Sequence, residues 1–236
     1  MGENWDWFPE VEGVWLKVRW KDLTVLGFTE AGIAGGKIGF NSAGIGLVVN
    51  GLVSHLDRWD GDGIPFHVRA WRVLCSASLT QAMAAVEEGR SPGSANFLIG
   101  DATRGRAVSL ERASDGTVRV EPREGILVHA NHFLAKDRLG VQEPLAEERR
   151  STDLRQRRLA ERLSAPARGL IAMENVQEAL RDHEGYPDSV CRHDSPLFPP
   201  ALNYRTALSV IIDLHWRHLR YTVGPPCQGL YREISL

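Results

Sequence analysis

The chain has almost no cysteine. Its three thiols, Cys75, Cys191 and Cys227 in 236 residues, are odd in number and far apart. That excludes the dense bridging of a small secreted scaffold and the short paired spacing of a zinc site. A reducing interior is the expected home, with the cytoplasm as the expected location. Long apolar runs are also missing. None approaches the ~18 residues of a membrane span, and the acidic, aromatic start lacks the charged-then-apolar order of a signal peptide. Net charge of one sign is missing as well: 28 Lys and Arg face 30 Asp and Glu, leaving -2. The expectation is no nucleic-acid partner, no membrane partner and a small-molecule substrate. No Gly/Ser-rich or Pro-rich stretch is long enough to hold separate cores apart, so residues 1–236 read as one domain.

What is present is the material of a globular protein, 43% hydrophobic and 25% charged. Between Val14 and Trp20 apolar residues alternate with Trp15, Lys17 and Arg19, the period of a half-buried strand. A second strand at Thr24–Phe28, a turn at Asn41–Gly44 and a Val- and Leu-rich run from Ile45 to Leu52 make the first fifty residues an antiparallel meander. Past a polar loop at Asp57–Pro65 the period becomes helical, through Val68, Trp71, Leu74 and Cys75, then Ala82, Met83 and Val86. Ser78 with Gln81 has the form of a capping box, and Gly89 marks a stop. Strands are expected again at Asn96–Ile99, Ala107–Leu110, Thr117–Val120 and Ile126–His129, helices at Ser151–Leu163 and Met173–His183, and last strands at Thr206–Leu214, Leu219–Val223 and Leu230–Ile234. The basic stretch from Arg149 to Arg162 carries Asp153 and Glu161 among its arginines and reads as a solvated helix face. Strands and helices in separate blocks argue for α+β with antiparallel sheets.

Taken one at a time, Asp6, Asn41 and Asn131 have the ordinary turn roles of Asn and Asp. No metal is expected: on a strand His129 and His132 point to opposite faces, and nothing completes a tetrahedral set. No Gly-x-Ser-x-Gly supports a serine triad, and Asp60-x-Asp62 lacks the rest of a calcium loop.

Taken together, five ordered segments carry more. Gly2–Trp7, Thr29–Ile33, Lys37–Gly44, His129–Phe133 and Ser189–His193 resemble segments of the acyl-CoA:6-aminopenicillanic acid acyltransferase family, the C45 peptidase group. The likeness runs through the ending, where Thr206–Asp213 and Gly224–Cys227 resemble the family's closing strands. It implies the N-terminal-nucleophile hydrolase fold, an αββα four-layer sandwich of two antiparallel sheets. It also implies an acyltransferase or amidohydrolase that works through a cysteine acyl-enzyme on an amide, linear or of β-lactam type, or an acyl thioester, with no cofactor.

In that chemistry the terminal cysteine attacks and its own α-amino group is the base, an economy made possible by an amine pKa of about 7.7 to 8.0. By resemblance, the side-chain amide of Asn131 donates to the oxyanion, with Asn41 as second candidate. Asp6 anchors the ammonium, and Arg155 steadies that carboxylate or holds a substrate acid. Arg205 is the fallback for Arg155, and Arg205, His132 and Phe133 are the expected substrate contacts.

No cysteine precedes Asn4. The expectation is therefore a nucleophile encoded upstream of Met1, with a first strand missing along with it and residues 1–236 inactive alone. Cys75, Cys191 and Cys227 are expected to be structural. The alternative is an inactive homologue serving as a binding or scaffold protein. Substrate, acyl-chain length and oligomeric state, a homo-oligomer included, stay open.

Overall fold

The computed structural model describes residues 1–58, 60–144, 151–164 and 171–236. Trp59 of the polar loop and Arg149 of the basic stretch lie outside the described residues. In chain order the strands are β1 (Gly2–Trp7), β2 (Gly13–Trp20), β3 (Leu23–Glu30), β4 (Ile38–Asn41), β5 (Ile45–Gly51), β6 (Ala95–Asp101), β7 (Arg106–Arg112), β8 (Thr117–Val120), β9 (Arg205–Asp213), β10 (His218–Val223) and β11 (Arg232–Ser235). The helices are α1 (Phe66–Leu74), α2 (Leu79–Glu87), α3 (Lys136–Leu139), α4 (Thr152–Ser164) and α5 (Met173–Leu180). Two compact units emerge, one from the described residues of Met1–Glu12, Arg150–Asp213 and His218–Ser235, the other from those of Gly13–Arg149, Leu214–Arg217 and Leu236. No helix among the described residues is long and apolar enough to cross a membrane.

The first unit holds a four-stranded antiparallel sheet in the order β1-β9-β10-β11. Its central strand β9 is buried through Leu208, Val210, Ile211 and Ile212. Helix α5 covers β1 and β9, and α4 packs on α5. Leu180, Val190 and Ile211 form the seam, with Leu159, Met173 and Val176 against it. Asn4 ties β1 to this layer by donating from Nδ2 to Leu180 O and Val190 O, each at 2.8 Å.

The second unit is a seven-stranded meander, β2 through β8, in which each strand pairs with its sequence neighbours. β2 is an edge, with Val14 and Trp20 exposed and Lys17 and Arg19 alternating along it, charges that discourage pairing with a further strand. The β4–β5 turn closes with Gly44 N donating to Asn41 O at 3.0 Å and Gly44 at φ +88, where a side chain is strained. Helices α1 and α2 lie against β4 to β7. Ser78 caps α2, its hydroxyl accepting from Gln81 N at 3.3 Å, while Gln81 Oε1 reaches back to Ala77 N at 2.9 Å.

The end of α2 is closed by a buried guanidinium. Arg69, 0% exposed, donates to Val86 O at 2.8 Å, Glu88 O at 2.7 Å and Arg90 O at 2.6 Å. Burial pushes it down to about 10, with Arg112 and Arg72 adding to the effect. Arg69→Leu is expected to lower stability by about 2–3 kcal/mol, because it removes the charged donor that closes the carbonyls of Val86, Glu88 and Arg90. Urea unfolding checks this, and a loss under about 0.5 kcal/mol, the range of an ordinary surface change, contradicts it.

Three expectations need correction. The first fifty residues are not one meander, since β1 leaves the others and pairs with β9. Ile126–His129 is not a strand: only an Arg123–Ile126 bridge forms, because the segment that follows is held by side chains and not by a ladder. The helix from Met173 ends at Leu180 instead of His183, where Asp182 turns its carbonyl to Cys191 N at 2.9 Å.

Candidate active site

Asp6 is aimed by an irregularity in its strand. The β1–β9 register slips between Trp5 and Asp6, so that Trp5 faces Leu208 but Asp6 faces Thr206. Such a bulge redirects one side chain without ending the pairing. Thr206 Oγ1 donates to Asp6 Oδ1 at 2.8 Å. The same hydroxyl accepts from Arg192 N at 3.0 Å, and Thr206 N donates to Arg192 O at 3.1 Å. β1 and the 189–193 segment are thus joined through one threonine.

Charge completes this cluster. Burial raises the Asp6 carboxyl above the usual range, while the Arg155 and Arg192 guanidiniums oppose the rise. Burial also lowers Arg155, and Asp6 opposes that. Arg192 pairs with Asp188, its Nε at 2.9 Å from Oδ1, and lies over the Tyr204 ring at 5.8 Å. Tyr204 packs against Phe8 at 4.8 Å and Trp7 at 6.1 Å, forming an aromatic cluster. Asp6 and Arg155 thus feel each other's charge, and Arg192, Asp188 and Thr206 join them. Arg192 and Thr206 both lie in segments with a family likeness, which is the only sequence signal for them.

In the second unit the organising group is Glu111 of β7, which is 0% exposed. Its carboxylate accepts from His129 Nε2 at 2.8 Å, Leu134 N at 2.5 Å and Ala135 N at 3.0 Å. His129 Nδ1 lies 2.7 Å from Ala130 O. Phe133 N donates to Glu143 Oε1 at 2.7 Å. These anchors fix both sides of Asn131, whose exposed amide donates to Gly51 O at 3.1 Å. His132 beside it is half-buried. Glu111 is the residue that sequence reasoning missed.

Two expected roles do not survive the geometry. Asn41 is no oxyanion donor: both its amide hydrogens are spent, on Leu74 O at 2.8 Å and Ser76 O at 2.7 Å, and its Oδ1 accepts from Ile45 N at 3.2 Å. It locks the end of α1 to the β4–β5 turn. Phe133 is no substrate contact: at 4% exposed it is core, packed with Leu52, Ala113 and Val141. Arg205 donates to Pro9 O at 3.3 Å. The Thr29–Ile33 and Lys37–Gly44 segments meet through a buried ion pair, Lys37 Nζ to Glu30 Oε1 at 2.5 Å. Burial raises the Cys75 thiol to about 11 and the Cys191 thiol, beside Cys227, to about 12, which disfavours thiolate at either.

A sequence model of the acyl-coenzyme A:6-aminopenicillanic acid acyl-transferase family matches residues 1–227. The 40 kDa form of acyl-coenzyme A:6-aminopenicillanic-acid-acyltransferase from Emericella nidulans is 32% identical over 202 residues, covering 81% of this chain and 52% of that protein. The chain thus spans about half the length of this curated relative. Among solved structures, a variant of the conjugated bile acid hydrolase from Clostridium perfringens is similar with a TM-score of 0.65 at 12% identity, covering 99% of this chain and 87% of that one. The Caenorhabditis elegans ortholog of N-acylethanolamine-hydrolyzing acid amidase gives 0.56 at 14% identity, covering 100% and 93%. At these identities the likeness establishes the fold, the α+β fold of N-terminal-nucleophile hydrolases.

Proposed function

The chain belongs to the acyl-coenzyme A:6-aminopenicillanic acid acyltransferase family, and from that premise we propose that it carries the scaffold of an acyl-transferring or amide-hydrolysing site whose nucleophile is a terminal cysteine outside residues 1–236. The observation that carries the reading is the Asp6 cluster. A carboxyl group turned off its strand by a bulge, held by Thr206 and flanked by Arg155 and Arg192, is suited to orienting an α-ammonium. The two guanidiniums limit the cost of keeping that carboxylate charged away from bulk water. An amine so oriented takes the thiol proton as sulfur attacks the acyl carbon, then returns it to the leaving amine or thiol. Asn131 supplies a donor to the oxyanion, its backbone fixed through Glu111 and Glu143.

The substrate class follows from the chemistry common to the named relatives: an acyl group joined through an amide or a thioester to a small polar head. The first is in the name of the N-acylethanolamine-hydrolyzing acid amidase, the second in that of the acyl-coenzyme A enzyme. The aromatic cluster of Trp7, Phe8 and Tyr204, packed around Arg192, offers apolar surface for the acyl part.

The test is acyl-adduct formation, followed by intact mass, in a form extended upstream through the attacking cysteine and offered acyl amides and acyl thioesters. An adduct on that cysteine is expected, and Asp6→Asn should slow its appearance at least about tenfold through lost orientation of the amine. Equal rates for Asp6→Asn remove the anchor role. Turnover by residues 1–236 alone overturns the assignment of the nucleophile.

A further inference from the structure

We infer that the first unit contains a zinc site whose four ligands are His183, Cys191, His193 and Cys227. One donor atom from each lies within 4.8 Å of all the others. The spacings that decide the matter are 3.5 Å between the two Sγ atoms, 3.6 and 3.4 Å from His193 Nε2 to the Sγ atoms of Cys191 and Cys227, and 3.2 Å between the Nε2 atoms of His183 and His193. Around a tetrahedral zinc with bonds of about 2.3 Å to sulfur and about 2.05 Å to nitrogen, the same edges are about 3.8, about 3.55 and about 3.35 Å. Each of these four edges lies within about 0.3 Å of its ideal, and the His183–Sγ edges fall within 4.8 Å, so His183 closes onto the ion by a small turn of its exposed ring. A thiol–imidazole dyad needs one sulfur and one ring, and a disulfide needs two sulfurs. Neither accounts for two sulfurs and two rings turned to one point.

The backbone that presents these side chains is already fixed by other bonds. After α5, Cys191 N donates to Asp182 O at 2.9 Å, and His193 N to Pro187 O at 3.1 Å. Ser189 Oγ donates to Cys191 O at 2.6 Å, and Asn4 clamps Leu180 and Val190 from β1. Cys227 arrives on the Pro225–Pro226 turn between β10 and β11, which Arg181 Nε holds at Pro226 O, 3.0 Å away. The ring of Tyr186 lies against His193 at 5.3 Å. A preformed cage of this kind loses little order on taking up its ion.

Softness and coordination number choose the metal. Two thiolates and two imidazoles in a tetrahedron suit zinc, and four protein ligands leave no open position for water, so the site is structural and not catalytic. His183 and Cys227 are exposed, which gives the ion a path from solvent. What it would hold is the segment containing Arg192, whose N–H reaches Thr206 and through it Asp6. The inference stands independently of the acyl-transfer reading, because zinc binding is read without any substrate.

The experiment uses the protein purified anaerobically, loaded with zinc, and freed of loose ion. About one zinc per chain is expected, and cobalt in its place should give thiolate charge-transfer and tetrahedral ligand-field bands. Cys227→Ser and His183→Ala change exposed positions and should leave the fold intact by circular dichroism. Each should weaken zinc at least about tenfold. A chelator should lower the melting temperature of the parent and leave that of Cys227→Ser unmoved. Zinc content well below one per chain, zinc affinity unchanged in both variants, or a Cys191–Cys227 disulfide in the anaerobic protein overturns the inference.

Discussion

Asn131→Ala, made in a form that carries the attacking cysteine, is expected to lower kcat about 100-fold with KM little changed. The split follows from when the amide acts. An oxyanion donor meets full negative charge only as the tetrahedral intermediate forms, so its loss is felt in the transition state and scarcely in substrate binding. Neighbouring hydrogen bonds hold the amide and its backbone in place. Its Nδ2 is turned by Gly51 O at 3.1 Å, and the chain on its far side is tied by Phe133 N to Glu143 and by Leu134 N and Ala135 N to Glu111. Because Asn131 itself is exposed, the change should cost less than about 0.5 kcal/mol of stability. Steady-state kinetics beside a urea curve check both halves. A raised KM with kcat intact would make Asn131 a substrate contact, and an intact kcat and KM would remove it from the site.

What the sequence disclosed and what it concealed divide along physical lines. Strands with local periodicity were legible: β2, β3, β5 and β8 lie within a residue or two of where alternation and turn residues put them. So was the Ser78 cap, a signal complete within four residues. Failures came where a role depends on partners distant in the chain. Asn41 in a glycine-flanked turn looks the same whether its amide faces a substrate or the end of a helix; only the carbonyls of Leu74 and Ser76, more than thirty residues on, decide. Phe133 next to Asn131 has the composition of a pocket wall but is consumed by the Leu52 cluster.

The cysteines are the plainest case. Cys191 and His193 are two residues apart, but His183 and Cys227 come from eight residues before the first and thirty-four after the second. No spacing rule written for a single zinc loop covers such a set. The fold, by closing the loop after α5 against the turn after β10, supplies the proximity that the order of residues does not.

Glu111→Ala is expected to be the most damaging single change to stability, at about 3–5 kcal/mol, since it strands three buried donors at about 1–3 kcal/mol each. Nothing in the alternation of β7 marks Glu111 as special, since Val108, Ser109, Leu110 and Arg112 around it are buried too. Its importance comes from stoichiometry. One carboxylate, 0% exposed, serves the His129 ring and two backbone N–H groups, and water cannot reach in to replace it. Alanine leaves all three donors unpaired at once, each a desolvated group with its own penalty. Glu111→Gln keeps the shape and one accepting oxygen but loses the charge, so it should fall between, at about 1–3 kcal/mol. Denaturant unfolding measures both, and hydrogen exchange at Leu134 and Ala135 should quicken in the same order. Since those two amides also fix the chain beside Asn131, the catalytic loss in the extended form should track their exchange and not the melting temperature. A variant that unfolds early but keeps those amides protected and kcat intact would separate the hub from the site it is argued to hold.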